Sequence, residues 1–306
     1  MLRRAFIKRI SGGVLLLSTA PFLYSCESKK VSKKLRFGVV SDVHYADRDM
    51  FINRYYRQSI DKMREAIDRF NGSGLDFIIE LGDLKDMGTD KNPAQALGFL
   101  DKIEGQLQSF DGPVYHVLGN HDEDCISKAD FLAHTSNPGN CKGKPHYSFK
   151  AKGVQCVVLD ANFNADMSDY DCGNFDWTSA WLPKEQLEWL DKELASQPKT
   201  PTLIFVHQML DSFSDIDKNL CVGNGDEAVS IIEKHPQVLA VFQGHHHPGH
   251  YSFRNGIHYW TCAGMIEGEY PDHNVYAVVE VRPNGDIFIE GFRDCIGGEF
   301  PRSMRQ

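Results

Sequence analysis

Short apolar runs alternate along the first half of this chain with segments whose apolar residues recur at three- and four-residue intervals. The runs predict strands at residues 35–40, 77–81 and 114–118. The segments between them have helical periodicity and predict helices at residues 54–70 and 94–108. A regular alternation of strand and helix is typical of parallel strands joined by crossover helices, so an α/β fold is expected.

The second half changes the expected sheet from parallel to mixed. Further strands are predicted at residues 155–159, 202–206, 238–242, 257–262, 275–281 and 286–292. A helix is predicted at 183–194, because Pro183 suits a helix start and three leucines share one face. The last three strands have no long helix between them, which indicates an antiparallel portion. We therefore predict one α/β domain with mixed sheets over residues 35–306.

Two long polar stretches dotted with aromatic residues interrupt this pattern, at residues 122–148 and 160–182. Loops of that length in a compact enzyme often form the mouth of a binding site. The alternative is that they are surface loops without a role in function.

The N-terminus has the pattern of an export signal at residues 1–26. A basic start is followed by an apolar stretch too short to span a bilayer. Residues 3–8 resemble a twin-arginine motif, and the alternative is a basic start for the general export route. Residues 23–26 resemble a lipobox, so Cys26 is expected to carry a lipid and residues 27–34 to form a tether. We expect an exported protein, periplasmic or at the cell surface, that meets the membrane only through this lipid anchor.

The charge balance narrows the choice of partners. The 306 residues carry a formal net charge of -9 at pH 7. An acidic chain disfavours the phosphate backbone of a nucleic acid as a partner. A small free substrate is expected instead.

The eight cysteines include no Cys-x-x-Cys pair, so neither a zinc ribbon nor a thioredoxin-like site is supported. Cys156 and Cys262 lie in predicted strands and are expected to be buried thiols. Four others lie in loop-like sequence and could pair in an oxidising compartment, namely Cys125, Cys141, Cys172 and Cys221.

Side chains that can bind metal follow five of the predicted strands. They lie in Ser41-Asp42-Val43-His44, Gly82-Asp83, Gly119-Asn120-His121-Asp122, Val206-His207 and Gly244-His245-His246-His247. Ligands collect at the carboxyl ends of strands in open α/β sheets. The oxygen and nitrogen atoms of this set suit divalent first-row metals. Each motif alone has an ordinary surface explanation, but five in equivalent positions predict a dinuclear metal centre.

Spacing within two of these motifs predicts which side chains point together. Alternation along a strand points residues i and i+2 the same way, so Asp42 and His44 are expected to reach one ion. His245 and His247 are expected to leave one side together, with His246 pointing elsewhere.

In order, and over most of the chain, these motifs resemble the calcineurin-like metallophosphoesterase superfamily. The resemblance implies a four-layer α-β-β-α sandwich with two mixed sheets and a metal site at the strand carboxyl ends. It implies one divalent ion held by Asp42, His44 and His247, and a second held by Asn120, His207 and His245. Asp83 would bridge the two ions, which could be manganese, iron or zinc.

The resemblance also implies a mechanism. Two such ions clamp phosphate oxygens and lower the pKa of a bridging water, whose hydroxide attacks phosphorus. His121 would stand beside the scissile phosphate and give a proton or hydrogen bond to the leaving oxygen. Asp86 would orient His121, and Asp122 is expected to have no ligand role.

Three segments look like one branch of that superfamily, the manganese-dependent ADP-ribose/CDP-alcohol diphosphatases. They are residues 37–47, 54–57 and 263–268. That branch typically has Gln where this chain has His44, so a stronger first metal site is expected here. Purple acid phosphatases carry Tyr in place of Asp86, so an iron-tyrosinate site is not expected.

The expected function is hydrolysis of a phosphoanhydride or phosphodiester bond in a nucleotide-like small molecule. The alternatives are a phosphomonoesterase or cyclic-nucleotide phosphodiesterase on the same centre, and a non-enzymatic lipoprotein that binds metal or phosphate. The candidate substrate-binding residues are Tyr45, Asp47 and Arg54.

Overall fold

Two sheets of six strands each form the centre of the structure, a computed structural model that describes residues 34–172 and 174–302. The predicted export signal, Cys26 and the predicted tether up to residue 33 lie outside these residues. Among the residues described, no helix is both long enough and apolar enough to cross a bilayer.

The strands and helices are as follows. The strands are β1 (Leu35–Val40), β2 (Phe77–Glu80), β3 (Val114–His116), β4 (Tyr147–Ala151), β5 (Val154–Val158), β6 (Thr202–Phe205), β7 (Val238–Gln243), β8 (His250–Arg254), β9 (Ile257–Thr261), β10 (Tyr276–Val281), β11 (Ile287–Phe292) and β12 (Gly298–Phe300). The α-helices are α1 (Ser59–Asn71), α2 (Pro93–Leu107), α3 (Lys128–His134), α4 (Lys184–Ala195) and α5 (Gly225–Glu233).

Both sheets are mixed, as predicted. The first has the order β12-β11-β10-β1-β2-β3, with β1, β2 and β3 parallel and the other three strands antiparallel. The second has the order β4-β5-β6-β7-β9-β8, with a parallel centre and an antiparallel strand at each edge.

The predicted antiparallel portion is only partly correct. Strands β10 and β11 form an antiparallel hairpin, whereas β9 runs parallel to β7 in the other sheet. The apolar pattern did not predict β8, which alternates half-buried and exposed residues at a sheet edge. This strand reverses the chain before β9, so β9 points the same way as β7.

Apolar side chains fill three layers between and outside the sheets. Between the sheets, the Phe37 ring stacks on Phe77 at 4.9 Å and meets Phe205 and Phe242 edge-on at 5.8 and 5.6 Å. Helices α1 and α2 cover the outer face of the first sheet, and α4 and α5 cover that of the second. This is the four-layer α-β-β-α sandwich that the family resemblance implies. Burial of each large apolar side chain contributes about 1.5–3 kcal/mol.

The two stretches predicted as loops differ in structure. The first contains α3, which begins at a capping box between Ser127 and Asp130, and its last residues belong to β4. The second contains no helix or strand among its described residues, and local contacts organise it. For example, the Tyr170 hydroxyl donates to the carbonyls of Asp176 and Ser179.

Candidate metal centre

Five strands from both sheets end at one edge and bring the predicted ligands into a single buried cluster. The loops that follow β1 and β2 continue to pair, because Asp42 N–H donates to Gly82 O at 3.0 Å and His44 N–H to Asp83 O at 2.8 Å. The groups able to hold a metal include Asp42 with His44 and His247, and Asp83 with His207 and His245. Within each group the ligand atoms lie within 4.8 Å of one another.

Four of these residues leave their strands on left-handed backbone. The φ angles are 50° at Asp42, 45° at His44, 61° at Asp83 and 67° at His245. The expectation that strand alternation aims Asp42 and His44 is therefore wrong, because both lie beyond β1 in a loop. A non-glycine residue in this region costs about 1–3 kcal/mol and persists only where its surroundings fix it. Such strain is typical of functional sites.

Close packing around the cluster explains the glycines of two motifs. A Cβ atom at Gly82, whose φ is 100°, would lie 2.6 Å from Nδ1 of His207. A Cβ atom at Gly119 would lie 2.2 Å from the backbone nitrogen of Asp83. Only glycine allows these loops to approach each other so closely.

The first half of the cluster contains ring nitrogens and a carboxylate oxygen that face one another. His247 Nε2 lies 3.3 Å from Oδ1 of Asp42 and 3.3 Å from Nε2 of His44. The other oxygen of Asp42 accepts hydrogen bonds from the Ser41 hydroxyl at 2.5 Å and from His245 N–H at 3.1 Å. Oδ1 of Asp42 has no hydrogen-bond partner among the described residues. It is therefore available as a metal ligand.

The second half is built around Asp83. Its Oδ2 lies 3.2 Å from Nε2 of His207 and 3.4 Å from Nε2 of His44, so it faces both halves of the cluster. Its Oδ1 accepts His121 N–H at 2.6 Å. The amide oxygen of Asn120 lies 3.1 Å from the same nitrogen of His207. This placement suits the bridging role that the resemblance implies for Asp83.

The outer ring nitrogens of two histidines are fixed by hydrogen bonds. His207 donates from Nδ1 to Leu81 O at 2.8 Å, and His247 donates from Nδ1 to Glu267 at 2.7 Å. Once a ring is neutral, as metal binding requires, these bonds leave its Nε2 lone pair free for the ion, the usual arrangement around bound metals. Glu267 was not predicted as a site residue, although residues 263–268 were noted for their family resemblance.

Burial and charge set the protonation of the cluster. Burial, and then the charge of His207, lowers the pKa of His245 to about 3, so its ring is neutral. Its Nε2 has no hydrogen-bond partner within the described part of the chain. Burial opposes ionisation of Asp42, but the rings of His247 and His44 beside its Oδ1 hold its pKa well below the usual range. A neutral imidazole and an ionised carboxylate are the forms that bind metal.

These residues fit two divalent ions. The unpaired Oδ1 of Asp42 and Nε2 of His245 are buried polar atoms that would otherwise lack any partner, which is costly. A mixed set of carboxylate, amide and imidazole ligands suits manganese, iron or zinc. His246 belongs to none of the clustered groups and is half-buried, in keeping with the expectation that it points away from His245 and His247.

His121 lies beside the cluster at the start of a short 3-10 turn. Its Nδ1 is 3.2 Å from Oδ2 of Asp124 and 3.5 Å from Oδ2 of Asp86. Asp86 also faces Nδ1 of His44 at 3.4 Å and Arg48 at 3.3 Å. The hydrogen-bonded partner of His121 is therefore Asp124, which the sequence did not single out, and Asp86 lies second.

Asp122 joins two of the ligand loops without facing a metal position. Its carboxylate accepts the backbone N–H groups of Asp83 at 3.0 Å, Leu84 at 2.9 Å and Gly119 at 2.9 Å. Burial, and then the charge of Asp83, raises its pKa to about 6. This agrees with the expectation that Asp122 is not a ligand.

A cavity of about 450 Å³ opens above the cluster. Its floor includes Asp83, Asn120 and His245, and its rim includes Arg54 and Trp177. The second long loop reaches this site, because the Phe175 ring lies 5.2 Å from the ring of His121 and the Trp177 ring 6.3 Å from that of His245.

Of the three candidate substrate-binding residues, only Arg54 lines this cavity. Tyr45 is buried in the core, where its ring meets Phe99 edge-on at 6.1 Å. Asp47 lies on the surface in an ion pair with Arg57. The prediction was wrong for these two because sequence proximity to a ligand motif does not determine which way a loop side chain points.

The cysteines and a core histidine complete the comparison with the sequence. All seven cysteines in the described residues are free thiols, so the possible pairing among four of them is not seen. Cys156 and Cys262 are buried, as predicted. His116 is buried and paired with Glu104 at 2.8 Å, so it is a core histidine rather than a site residue.

A family model and several known proteins match the sequence of this chain. The family model described as calcineurin-like phosphoesterase matches residues 35–249. A manganese-dependent ADP-ribose/CDP-alcohol diphosphatase of Arabidopsis thaliana is 28% identical over 272 residues, covering 76% of this chain and 86% of the relative. The protein of the same name from Oryza sativa subsp. japonica is 27% identical over 288 residues, covering 81% and 88%.

A solved structure has the same fold. The dimetal phosphatase from Danio rerio superimposes with a TM-score of 0.77 at 22% sequence identity. The superposition covers 88% of this chain and 99% of the other.

Proposed function

The chain belongs to the calcineurin-like phosphoesterase family, and from that premise we propose that it hydrolyses the diphosphate of a nucleotide-like small molecule. The family and the diphosphatase relatives make it a metal-dependent phosphoester hydrolase. Its cofactors are two divalent metal ions, for which the aspartate and histidine clusters provide ligands.

The shape of the cavity is the observation that carries the proposed substrate class. Its volume of about 450 Å³ is in the range of sites for drug-sized ligands and is larger than a bare phosphate requires. Two exposed aromatic residues line it, Phe51 with 58% and Trp177 with 46% of their surface accessible. Aromatic faces beside a phosphate-binding floor suit a ligand with phosphate at one end and a flat base at the other.

The positive charge of Arg54 at the rim of the cavity can bind a second phosphate group. The Arg54 guanidinium is partly exposed, and its Nε lies 3.6 Å from Oε1 of Glu267. A guanidinium has five N–H donors and binds phosphate in a bidentate manner, so Arg54 can contact a ligand while it stays near Glu267. A diphosphate offers one phosphate to the floor and the other to this arginine.

The residues of the chain have separate roles in the proposed reaction. Asp42, His44 and His247 would hold one ion, Asn120, His207 and His245 the other, and Asp83 would contact both. When bound, the ions would offset the charge of the phosphate and make a water more acidic. His121 presents Nδ1 to buried carboxylates, which leaves its Nε2–H edge to donate to the leaving oxygen. The Phe175 ring lies beside this histidine, with 5.2 Å between the ring centroids.

A small substrate panel tests this proposal. Purified protein with Mn²⁺ would be assayed with ADP-ribose, CDP-choline, p-nitrophenyl phosphate, bis-p-nitrophenyl phosphate and cyclic AMP. We expect the highest kcat/KM for one of the two diphosphates, with nucleoside monophosphate as a product. A preference for p-nitrophenyl phosphate would instead assign a phosphomonoesterase. A preference for cyclic AMP would assign a cyclic-nucleotide phosphodiesterase.

A variant of Trp177, at the rim of the cavity, tests whether a base binds there. Trp177→Ala should raise KM for a diphosphate nucleotide by about 10-fold, since stacking of one base contributes about 1–3 kcal/mol. The same variant should leave KM for p-nitrophenyl phosphate within about 3-fold. An equal change for both substrates would contradict binding of a base at this rim.

The location remains a proposal from the sequence. The basic start, short apolar stretch and lipobox-like segment ending at Cys26 support export and a lipid anchor, in the periplasm or at the cell surface. Mass spectrometry of the mature protein should find a diacylglycerol-modified Cys26 as the first residue. An unprocessed N-terminus starting at Met1 would exclude this location.

A further inference from the structure

A buried ion pair lies directly behind His121. Asp124 and Lys85 are both fully buried, and Oδ1 of Asp124 pairs with Nζ of Lys85. The same lysine donates to the carbonyl of His121 at 2.5 Å. Oδ2 of Asp124 accepts Met87 N–H at 3.1 Å and faces His121 Nδ1 at 3.2 Å. Asp124 thus contacts the His121 ring through Oδ2, and Lys85 and the Met87 N–H hold its carboxylate in place.

We propose that Asp124, fixed by Lys85, is the positioning residue that aims His121 at the leaving oxygen. This inference rests on the proposed function, in which His121 is the proton donor. As the acid, the His121 ring carries a proton on each nitrogen: Asp124 accepts the Nδ1–H, and the Nε2–H faces the cavity. A carboxylate that accepts from one ring nitrogen fixes both the tautomer and the orientation of a histidine.

Asp86 is less suited to this role. It lies 3.5 Å from Nδ1 of His121, farther than Asp124, and it also faces Arg48 and His44 at 3.3 and 3.4 Å. Its charge is therefore shared with a neighbour of the metal cluster. Each carboxylate therefore has its own histidine: Asp86 faces Nδ1 of His44, and Asp124 faces Nδ1 of His121.

Lys85 is the charged partner of a carboxylate that has no contact with solvent. Burial of a carboxylate is costly unless it is paired and hydrogen-bonded, and Asp124 is both. Lys85 comes two residues after Asp83, and Asp124 comes three residues after His121. The ion pair therefore connects the loop that contains Asp83 to the turn that contains His121. It fixes the position of the His121 ring relative to the proposed metal ligands.

In the step that Asp124 supports, the oxygen of a water forms a bond to phosphorus and releases a proton to solvent, while the bond to the leaving oxygen breaks. The leaving oxygen takes the electron pair of that bond and the proton from Nε2 of His121. The ring then regains a proton from solvent. A poor leaving group needs that proton most, so correct positioning of His121 should matter most for alkoxide-like leaving groups.

The test uses aryl esters of thymidine 5′-monophosphate that differ only in the phenol. For Asp124→Asn, kcat should fall by about 10²-fold for the unsubstituted phenyl ester but by less than about 10-fold for the p-nitrophenyl ester. KM should change little for either ester, and bound metal should be unchanged. Lys85→Met should act in the same direction, and the double variant should lose no more than Asp124→Asn alone. Equal losses for both esters would overturn the proposal.

Asp86→Asn is the matched control, because it removes an equally buried carboxylate 3.5 Å from the same nitrogen. It should lower metal content through His44 and should reduce turnover of both esters alike. A leaving-group dependence that appears in Asp86→Asn and not in Asp124→Asn would transfer the role to Asp86.

A spectroscopic readout separates this inference from the proposed function. In ¹⁵N-histidine-labelled protein loaded with Zn²⁺, the His121 ring should carry an Nδ1 proton in slow exchange with water. That signal should be lost or shifted upfield in Asp124→Asn and retained in Asp86→Asn. Wild-type protein that cleaves no substrate would refute the proposed function alone. Absence of the Nδ1 proton in wild-type protein would refute the positioning role.

Discussion

The Nε2 atoms of His44 and His247 lie 3.3 Å apart, although 203 positions separate the two residues in the chain. His247 donates its Nδ1 proton to Glu267, so its Nε2 atom carries a lone pair whenever the ring is neutral. Oδ1 of Asp42 faces both rings, at 3.3 and 3.9 Å. Lone pairs that converge from separate loops repel each other, and a shared cation would convert that repulsion into attraction.

The first prediction is that divalent metal stabilises the folded protein. A ligand that binds only the folded state adds about 2.7 kcal/mol per site at a concentration 100 times its Kd. Unfolding by urea should therefore shift to higher midpoints with Mn²⁺ and to lower midpoints with a chelator. A midpoint that is the same in both conditions would contradict a metal centre at these ligands.

The second prediction concerns Asp83, which faces both halves of the cluster. Asp83→Asn should lose bound metal and activity together, since an amide does not supply the charge that two cations require. The matched control is Asp47→Asn, which changes an exposed aspartate in an ion pair outside the cavity. Elemental analysis and turnover should be normal in this control. Full metal content in Asp83→Asn would rule out the bridging role.

The third prediction concerns Glu267, whose carboxylate fixes the ring of His247. Glu267→Gln should weaken binding of one metal by about 10- to 100-fold, as is usual when the outer partner of a ligating histidine is changed. Titration with Mn²⁺ followed by calorimetry should resolve one weakened site and one unchanged site. If both sites are unchanged, Glu267 has no influence on the metal centre.

The fourth prediction separates metal binding from proton transfer. His121→Ala should keep both metals, because its side chain is not among the proposed ligands, while turnover falls by about 10²- to 10⁴-fold. Metal analysis and kcat would be measured on the same preparation. Normal turnover in this variant would remove His121 from the mechanism.

The fifth prediction is a pH dependence of stability that arises away from the site. Burial by itself would lower the pKa of His116, but the charge of Glu104 and hydrogen bonds with Glu104 and Asn137 raise it. Because the folded pKa lies above the unfolded value of about 6.5, the stabilisation is complete below that pH and is lost as the pH rises through the folded pKa. The pKa of Glu104 is lowered in the folded protein, so the stabilisation that its ionised carboxylate contributes is lost as the pH falls below about 4.5.

His116→Gln tests that dependence, because glutamine can still donate to Glu104 but does not titrate. The variant should be less stable than wild type by about 1.5–3 kcal/mol near pH 5.5, and the difference should shrink at higher pH. Comparison of urea midpoints at one Mn²⁺ concentration and several pH values measures it. A difference that stays constant with pH would assign the effect to packing alone.

Sequence pattern predicted the central strands well and the peripheral elements poorly. The apolar run at 35–40 coincides with β1 because a strand covered on both faces has few polar positions to obscure it, and Arg36 is the single charged residue of β1. Strands β4 and β8 were missed because each is an edge strand with exposed positions that dilute the apolar signal. Helix α5 was missed because it spans only nine residues, too few for a clear period.

The sequence by itself determined the fold class and predicted the candidate ligands that the structure brings into one cluster. Parallel strands end at one edge, so polar residues placed directly after apolar runs must collect there. Only the tertiary structure decided which atoms meet. Left-handed backbone at Asp42 and His44, not strand alternation, aims those side chains. The choice of Asp124 over Asp86 as the partner of His121, and of Glu267 as the partner of His247, depends on distances between loops. Those distances are set by the packing of two sheets, and no local pattern of residues encodes them.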